Sequence, residues 1–235
     1  MTASRAADAG SKAGMTSAEI PARSTNHNTL AVELRELIMM TGTTGTGKTT
    51  VSKLVAGSLG GIHIDCGKFA VREGLTVRYD RTCQSYIVDL KRLSSRIKKT
   101  IEGFDTVLIL EGHLVPLIAG CLPSKVLVLR IDPGLLRHRL ERRGYPPKKV
   151  AENVAAELLD VCFRDAVERF GTSRTFEVDA SKKTPAQVAS SISRILKGRT
   201  RKRLKHVDWI HRLENEDRLD EILTYIESNT KTSLR

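Results

Sequence analysis

No apolar run in the 235-residue chain approaches the roughly 20 residues a membrane-spanning helix needs, although hydrophobic residues make up 40% of it. A soluble protein with no membrane partner is therefore expected. The N-terminal stretch carries Arg5 and Lys12 but lacks an apolar h-region, and Asp8, Glu19 and Glu33 argue against a transit peptide, so no export signal is expected. Cysteine is scarce. Cys66, Cys83, Cys121 and Cys162 are widely spaced with no Cys-x-x-Cys pair, which argues against a disulfide framework or a zinc site and fits reduced core thiols in a cytoplasmic protein. No Asn is followed by Lys, so the Asn-Lys-x-Asp motif that reads guanine is missing and a GTPase is disfavoured. No internal repeat is visible. Carboxylates are outnumbered, 27 against 39 Lys and Arg, and the formal charge of +12 calls for anionic partners, either nucleotides or RNA.

What is present alternates. Residues 1–34 read as a disordered arm, because the first 28 or so are small, polar and aperiodic. Then "ELIMMTG" reads as a strand, "GKTTVSKLVAGSL" as a helix and "GIHID" as a second strand. "VDLKRLSSRIKKTIEG" carries a helical apolar stripe at Val88, Leu90, Leu93, Ile97 and Ile101. "DTVLILEG" and "KVLVLRID" are further strands, with Pro133 fit to open the next helix. "AENVAAELLDVCFRDAVERF" reads as one long amphipathic helix closed by Gly171, and "TFEVD" then "TPAQVASSISRILKG" repeat the strand-helix theme. Strands separated by helices predict a parallel sheet with helices on both faces, in a domain of residues 35–198. Residues 199–235 are a basic linker and a C-terminal helix.

The strongest local signal is Gly42-Thr43-Thr44-Gly45-Thr46-Gly47-Lys48-Thr49, a full match to G-x-x-x-x-G-K-[ST] between a predicted strand and a predicted helix. In that setting backbone N–H groups can wrap phosphates at the positive end of a helix. Lys48 is then expected to reach the β- and γ-phosphates, and the Thr49 hydroxyl to hold Mg²⁺.

Two further groups of residues attach to this loop. Glu111-Gly112-His113 ends an apolar strand, and in open α/β sheets ligands sit at the carboxyl ends of strands. Glu111 could act through a Mg²⁺-bound water, and His113 could orient a water or an acceptor oxygen; the competing reading makes them a structural cap. His63 is favoured as structural. "LLRHRLERRGYPPKKVAEN" gathers Arg139, Arg142 and Arg143 beside a Gly-Tyr-Pro-Pro break. Such clustering is costly through repulsion unless phosphates or carboxylates offset it, so it reads as a lid over a transferred phosphate or, alternatively, as a solvated basic face.

From about Glu36 to Gly198 the chain resembles the adenylate kinases, in particular the archaeal ones and their nuclear eukaryotic relatives called isoenzyme six. The carriers are "TGTTGTGKTTVSKLVA", "YDRTCQSYIVD", the "LEGHL" strand end and "RLERRGYPPKKVAENVAAELLDV". The resemblance implies a P-loop NTPase fold with a five-stranded parallel sheet, a nucleoside-monophosphate-binding region around Asp65 to Tyr86 and a short lid around Arg142 to Glu152. It implies ATP and Mg²⁺ as cofactors, with Gly45, Gly47, Lys48, Thr49, Thr50 and Arg143 on the ATP side and Lys48, Glu111, His113 and Arg143 as catalytic residues. Asp65, Arg72, Asp89 and Arg139 are the implied monophosphate contacts, and Thr49 and Glu111 the metal residues. AMP or another nucleoside monophosphate is the implied acceptor, and the small-subunit protein uS11 and rRNA are implied partners of a monomer in ribosome maturation. Thr44 is often proline in relatives, Val71 stands where some have Arg, and no cysteine lies between Cys121 and Cys162 to build a zinc-binding lid. For the tail, "RTRKRLKH" followed by "VDWIHRLENEDRLDEILTYIES" leaves two readings open, a helix packed on the core or an RNA-contacting arm.

Overall fold

Alternation along the segment Leu37–Thr41 (β1) sends Ile38 and Met40 to one side of a sheet and Met39 to the other, and all three are fully buried. A strand buried on both faces must be covered on both faces, and here it lies at the centre of five parallel strands. The computed structural model describes residues 36–80, 85–198 and 206–230, which belong to one unit, Glu33–Arg235. Beside β1 run β5 (Leu108–Glu111) and β6 (Lys125–Arg130), with β2 (Ile62–Asp65) beyond β5 and β7 (Thr175–Asp179) beyond β6. The register pairs Met40 with Glu111 and Glu111 with Asp65, so the carboxyl ends of β1, β5 and β2 finish level.

On one face α1 (Lys48–Ser58) and α7 (Pro185–Leu196) pack Val51, Val55, Val188 and Ile192 against Ile38, Met40, Ile109, Leu127 and Leu129. On the other, α2 (Cys66–Arg72), α3 (Leu90–Glu102) and α6 (Val161–Phe170) cover Met39, Leu108, Leu110, Val126 and Val128. The expected fold is what the chain forms. Helix starts follow local chemistry: Asp65, Asp89 and Asp132 accept the third backbone N–H of α2, α3 and α4 (Pro133–Arg142), and Thr184 with Gln187 makes a capping box. Pro133 opens α4, where its missing N–H costs nothing. Among the described residues no helix is long and apolar enough to cross a membrane. Cys66 is buried in the core and its thiol is pushed up by burial, while Cys121 and Cys162 are half-buried and free.

Three details depart from the sequence-based expectations. The stretch expected as one long helix is two, α5 (Pro147–Leu158) and α6, because Asp160 takes a left-handed backbone (φ 57°) that no continuous helix tolerates. The stripe beginning at Val88 starts as a helix only at Leu90. Val88 instead closes an antiparallel hairpin of β3 (Thr76–Asp80) and β4 (Ser85–Val88) that was not anticipated, with Tyr79 and Tyr86 meeting edge to face at 5.0 Å. The tail forms two helices, α8 (Trp209–Asn215) and α9 (Leu219–Thr230), separated at Asp217 (φ 54°). Val207, Leu213 and Ile222 are buried with Leu136 and Leu140 of α4 and Val150 and Val154 of α5, whereas Ile210 and Leu223 stay exposed. The N-terminal arm, Cys83 and the basic residues 199–205 lie outside the described residues.

Beneath the tail lies a buried charge cluster. Arg130, 1% exposed, donates from Nε to Glu157 at 2.8 Å and from Nη2 to the Glu157 carbonyl at 3.0 Å, and its remaining N–H groups meet Asp160 and Glu177. Burial alone would lower its pKa, but the carboxylates of Glu157, Asp160 and Glu177 overcome that and raise it. Asp160 is therefore held in its unusual conformation by a partner 30 residues back in the chain.

Candidate active site

The phosphate-loop motif links the end of β1 to α1 and owes its shape to close approaches. Gly42 has φ 138°, and a Cβ there would lie 2.4 Å from the Leu129 carbonyl oxygen, so no other residue fits. Gly45 has φ 98° and a Cβ would meet Leu136 at 2.7 Å. The loop is thus pressed against β6 and α4. Gly47, left-handed, ends it, and α1 begins at Lys48 without any side-chain cap or acidic residue in its first turn. Those first-turn N–H groups, at the positive end of the helix, face a cavity of about 300 Å³ lined by Gly45, Gly47, Lys48, Thr49 and Thr50.

Lys48 is buried, and its Nζ donates to the Thr43 carbonyl at 3.0 Å. Burial pushes its ammonium pKa down, while the Glu111 carboxylate pulls it back up. Across the cavity Thr49 donates its hydroxyl to Glu111 Oε2 at 3.1 Å, and His63 Nε2 stands 3.5 Å from the same oxygen. A hydroxyl and a carboxylate converging at the first turn of α1 form a hard oxygen donor set. That set suits magnesium, which takes few protein ligands and completes its shell with phosphate and water, so Thr49 and Glu111 fit the metal the sequence implied.

Asp65, Gly112, His113, Leu114, Arg143 and Tyr145 line the rest of this cavity. His113 is exposed; partial desolvation lowers its pKa, and the Lys48 ammonium adds to that. The shift favours the neutral imidazole, which is able to accept a proton. A second cavity, about 390 Å³, adjoins it and is lined by Arg139, Arg142, Arg143, Lys183, Pro185 and Val188. Both volumes fall within the range of small-ligand sites, about 300–1,000 Å³. The two cavities share Gly47, Thr50 and Arg143.

The remaining sequence-derived candidates sort by position. Arg139 lines the second cavity and points Nη1 at the Gly45 carbonyl, 3.4 Å away; desolvation and then the nearby Arg143 charge lower its pKa. Asp65 lines the first cavity while capping α2. Arg72 and Asp89 line neither: Arg72 lies on the surface against Glu73 (3.4 Å) and the Phe69 ring, and Asp89 caps α3. Tyr145, Lys183 and Pro185 were not anticipated. Tyr145 could have been found from its place two residues after Arg143 in the lid segment, whereas the loop after β7 carries no motif to flag Lys183.

Comparison with known proteins agrees with this geometry. Residues 38–160 match a family model described as an AAA domain. A protein of Thermococcus onnurineus (strain NA1) named "Putative adenylate kinase" is 35% identical over 190 residues, covering 81% of this chain and 97% of its own. One of the same name from Methanothermobacter thermautotrophicus is 40% identical over 162 residues, 69% of this chain and 90% of its own. Among solved structures, a shikimate kinase from Acinetobacter baumannii in complex with shikimate aligns over 72% of this chain and 97% of its own, with 18% identity and a TM-score of 0.52; it shares the fold. With its phosphate loop, paired cavities and near full-length relatives, the chain belongs to the archaeal-type adenylate kinase family represented by those proteins.

Proposed function

We propose that this protein transfers the γ-phosphoryl group of ATP to a nucleoside monophosphate, with AMP as the acceptor, giving two ADP, and that it hydrolyses ATP when no acceptor is bound. The observation that carries this is the pair of cavities meeting at Gly47, Thr50 and Arg143, since a phosphoryl donor and its acceptor must touch at one point. In line displacement breaks the bond from the γ-phosphorus to the β–γ bridging oxygen as an acceptor phosphate oxygen bonds to the same phosphorus, and the departing oxygen stays on ADP. The loop amides and Lys48 hold the β- and γ-phosphates, and Arg143, at the junction, neutralises the charge that spreads over the transferred group. Magnesium, held by Thr49 and Glu111, would supply charge neutralisation on the phosphate oxygens. Asp65 and His113 line the same cavity as Lys48 and Thr49, next to where the transferred phosphate would sit, and the neutral His113 ring can take a hydrogen bond from a water or a nucleotide oxygen.

A second role, in maturation of the small ribosomal subunit through uS11 and rRNA, is favoured by the formal charge of +12 and by the surface position of Arg72, away from the acceptor cavity. ATP turnover assayed against a nucleoside monophosphate panel, with and without uS11 or rRNA, distinguishes the two. The kinase role predicts ADP formation that depends on the monophosphate, and an ATPase stimulated only by the ribosomal partner argues for the second. Lys48→Ala should abolish turnover in either case, and near wild-type turnover by a folded variant would remove the phosphate loop from both.

A further inference from the structure

Glu157 is 1% exposed and its carboxylate is shared by three distant parts of the chain. Oε2 accepts the Thr43 hydroxyl of the phosphate loop at 2.6 Å. Oε1 accepts Arg130 Nε at 2.8 Å, the Ile131 N–H at 3.1 Å and the indole N–H of Trp209 at 3.0 Å. Thr43 in turn offers its carbonyl to Lys48. A continuous set of hydrogen bonds therefore runs from the C-terminal helix α8 to the lysine that would bind phosphate: Trp209, Glu157, Thr43, Lys48. The same tail grips the base of α4, where Arg218 makes paired bonds of 3.0 Å to both oxygens of its cap, Asp132.

We propose that the C-terminal helical pair is a positioning element for nucleotide binding, acting on the phosphate loop through Trp209, Glu157 and Thr43. The inference rests on the reading of the loop as an ATP site. A rigid planar carboxylate cannot shift one oxygen without the other, and in a dry interior an unpaired acceptor is costly, so the orientation of Glu157 is fixed jointly by tail and loop. Phosphate on the Lys48 ammonium competes with the Thr43 carbonyl for its donors. A shift of Thr43 in response is passed through its hydroxyl to Glu157, and so to the indole on the opposite oxygen.

Trp209 is the one tryptophan in the chain and is buried, so its fluorescence reports on this linkage without labelling. The test is a double-mutant cycle on the full chain with Thr43→Val, which removes the hydroxyl at nearly constant shape, and Trp209→Phe, which removes the indole N–H. Affinity for a non-hydrolysable ATP analogue is measured by calorimetry, with thermal unfolding as a separate readout. Each single variant should weaken binding by roughly threefold to tenfold, the net worth of one typical intramolecular hydrogen bond. After Thr43→Val, Trp209→Phe should cost no further affinity. The wild type should also show a change in Trp209 emission on saturation with the analogue, and saturated Thr43→Val should lose it. Losses that simply multiply, or a Trp209→Phe variant that unfolds earlier but binds as wild type, would overturn the coupling. A wild type that binds no analogue would overturn the ATP site itself and the coupling with it.

Discussion

His113 separates the two reactions proposed for this site. It lines the cavity where Lys48 and Thr49 would hold the transferred phosphate, and its pKa lies below the ordinary histidine value because of desolvation and the Lys48 charge. If the ring positions water, His113→Ala should depress ATP hydrolysis by about 100-fold or more while leaving ATP affinity nearly intact, since loop amides and Lys48 hold the nucleotide. Transfer to AMP should suffer less, because AMP brings its own oxygen and is held by other contacts. Steady-state rates with and without AMP check this, and a loss of hydrolysis below tenfold would make His113 a cap. The pH dependence has a defined sign. The active ring is the neutral one, so hydrolysis should be flat through neutral pH and fall only as pH drops past the lowered pKa, below the ordinary histidine value. His113→Ala should abolish that acidic limb. The same depression means the folded state resists protonation of His113, so its share of stability is present above the ordinary histidine pKa and declines as pH falls through it.

The elements were legible in the sequence wherever their cause is local. The phosphate loop, the Pro133 start of α4 and the Gly171 stop of α6 each follow from residues within one turn, and Lys48, Thr49, Thr50, Glu111, His113 and Arg143 do line one cavity. What escaped has distant causes. The break at Asp160 is fixed by Arg130, and Glu157, which reads as an ordinary amphipathic position, gathers donors from Thr43, Arg130 and Trp209, the first of them 114 residues away. The β3–β4 hairpin is short and its strands are largely exposed, so no buried alternation marks it. The tail also proves to be more than an appendage. His206 Nδ1 lies 2.7 Å from Glu177 Oε2, and the Val207 N–H donates to the same oxygen at 3.1 Å, so the segment leading into α8 gives partners to the Glu177 oxygen that Arg130 does not take. Arg130→Leu should therefore be severe. It leaves Glu157, Asp160 and Glu177 together without their shared cation, and breaking a buried pair from one side costs roughly 3–5 kcal/mol. Urea unfolding of the variant measures the loss. A shift below about 1 kcal/mol would mean that the tail donors alone satisfy the carboxylates.

At the scale of the whole molecule, a parallel sheet delivers Asp65 and Glu111 level at its carboxyl edge, with the phosphate loop at the end of the neighbouring β1. One face is closed by α1 and α7, and α4 carries Arg139 and Arg142 up to Arg143, where the two cavities join. A machine for hydrolysis alone needs one nucleotide pocket and a water. Two pockets sharing a phosphate loop and an arginine suit a transfer between nucleotides. The stoichiometry of the products tests this most directly: ATP, AMP and Mg²⁺ are incubated with the protein, and ADP and inorganic phosphate are quantified together. Two ADP formed for each ATP consumed, with little free phosphate, is the predicted result. One ADP and one phosphate for each ATP, unchanged by AMP, would contradict it.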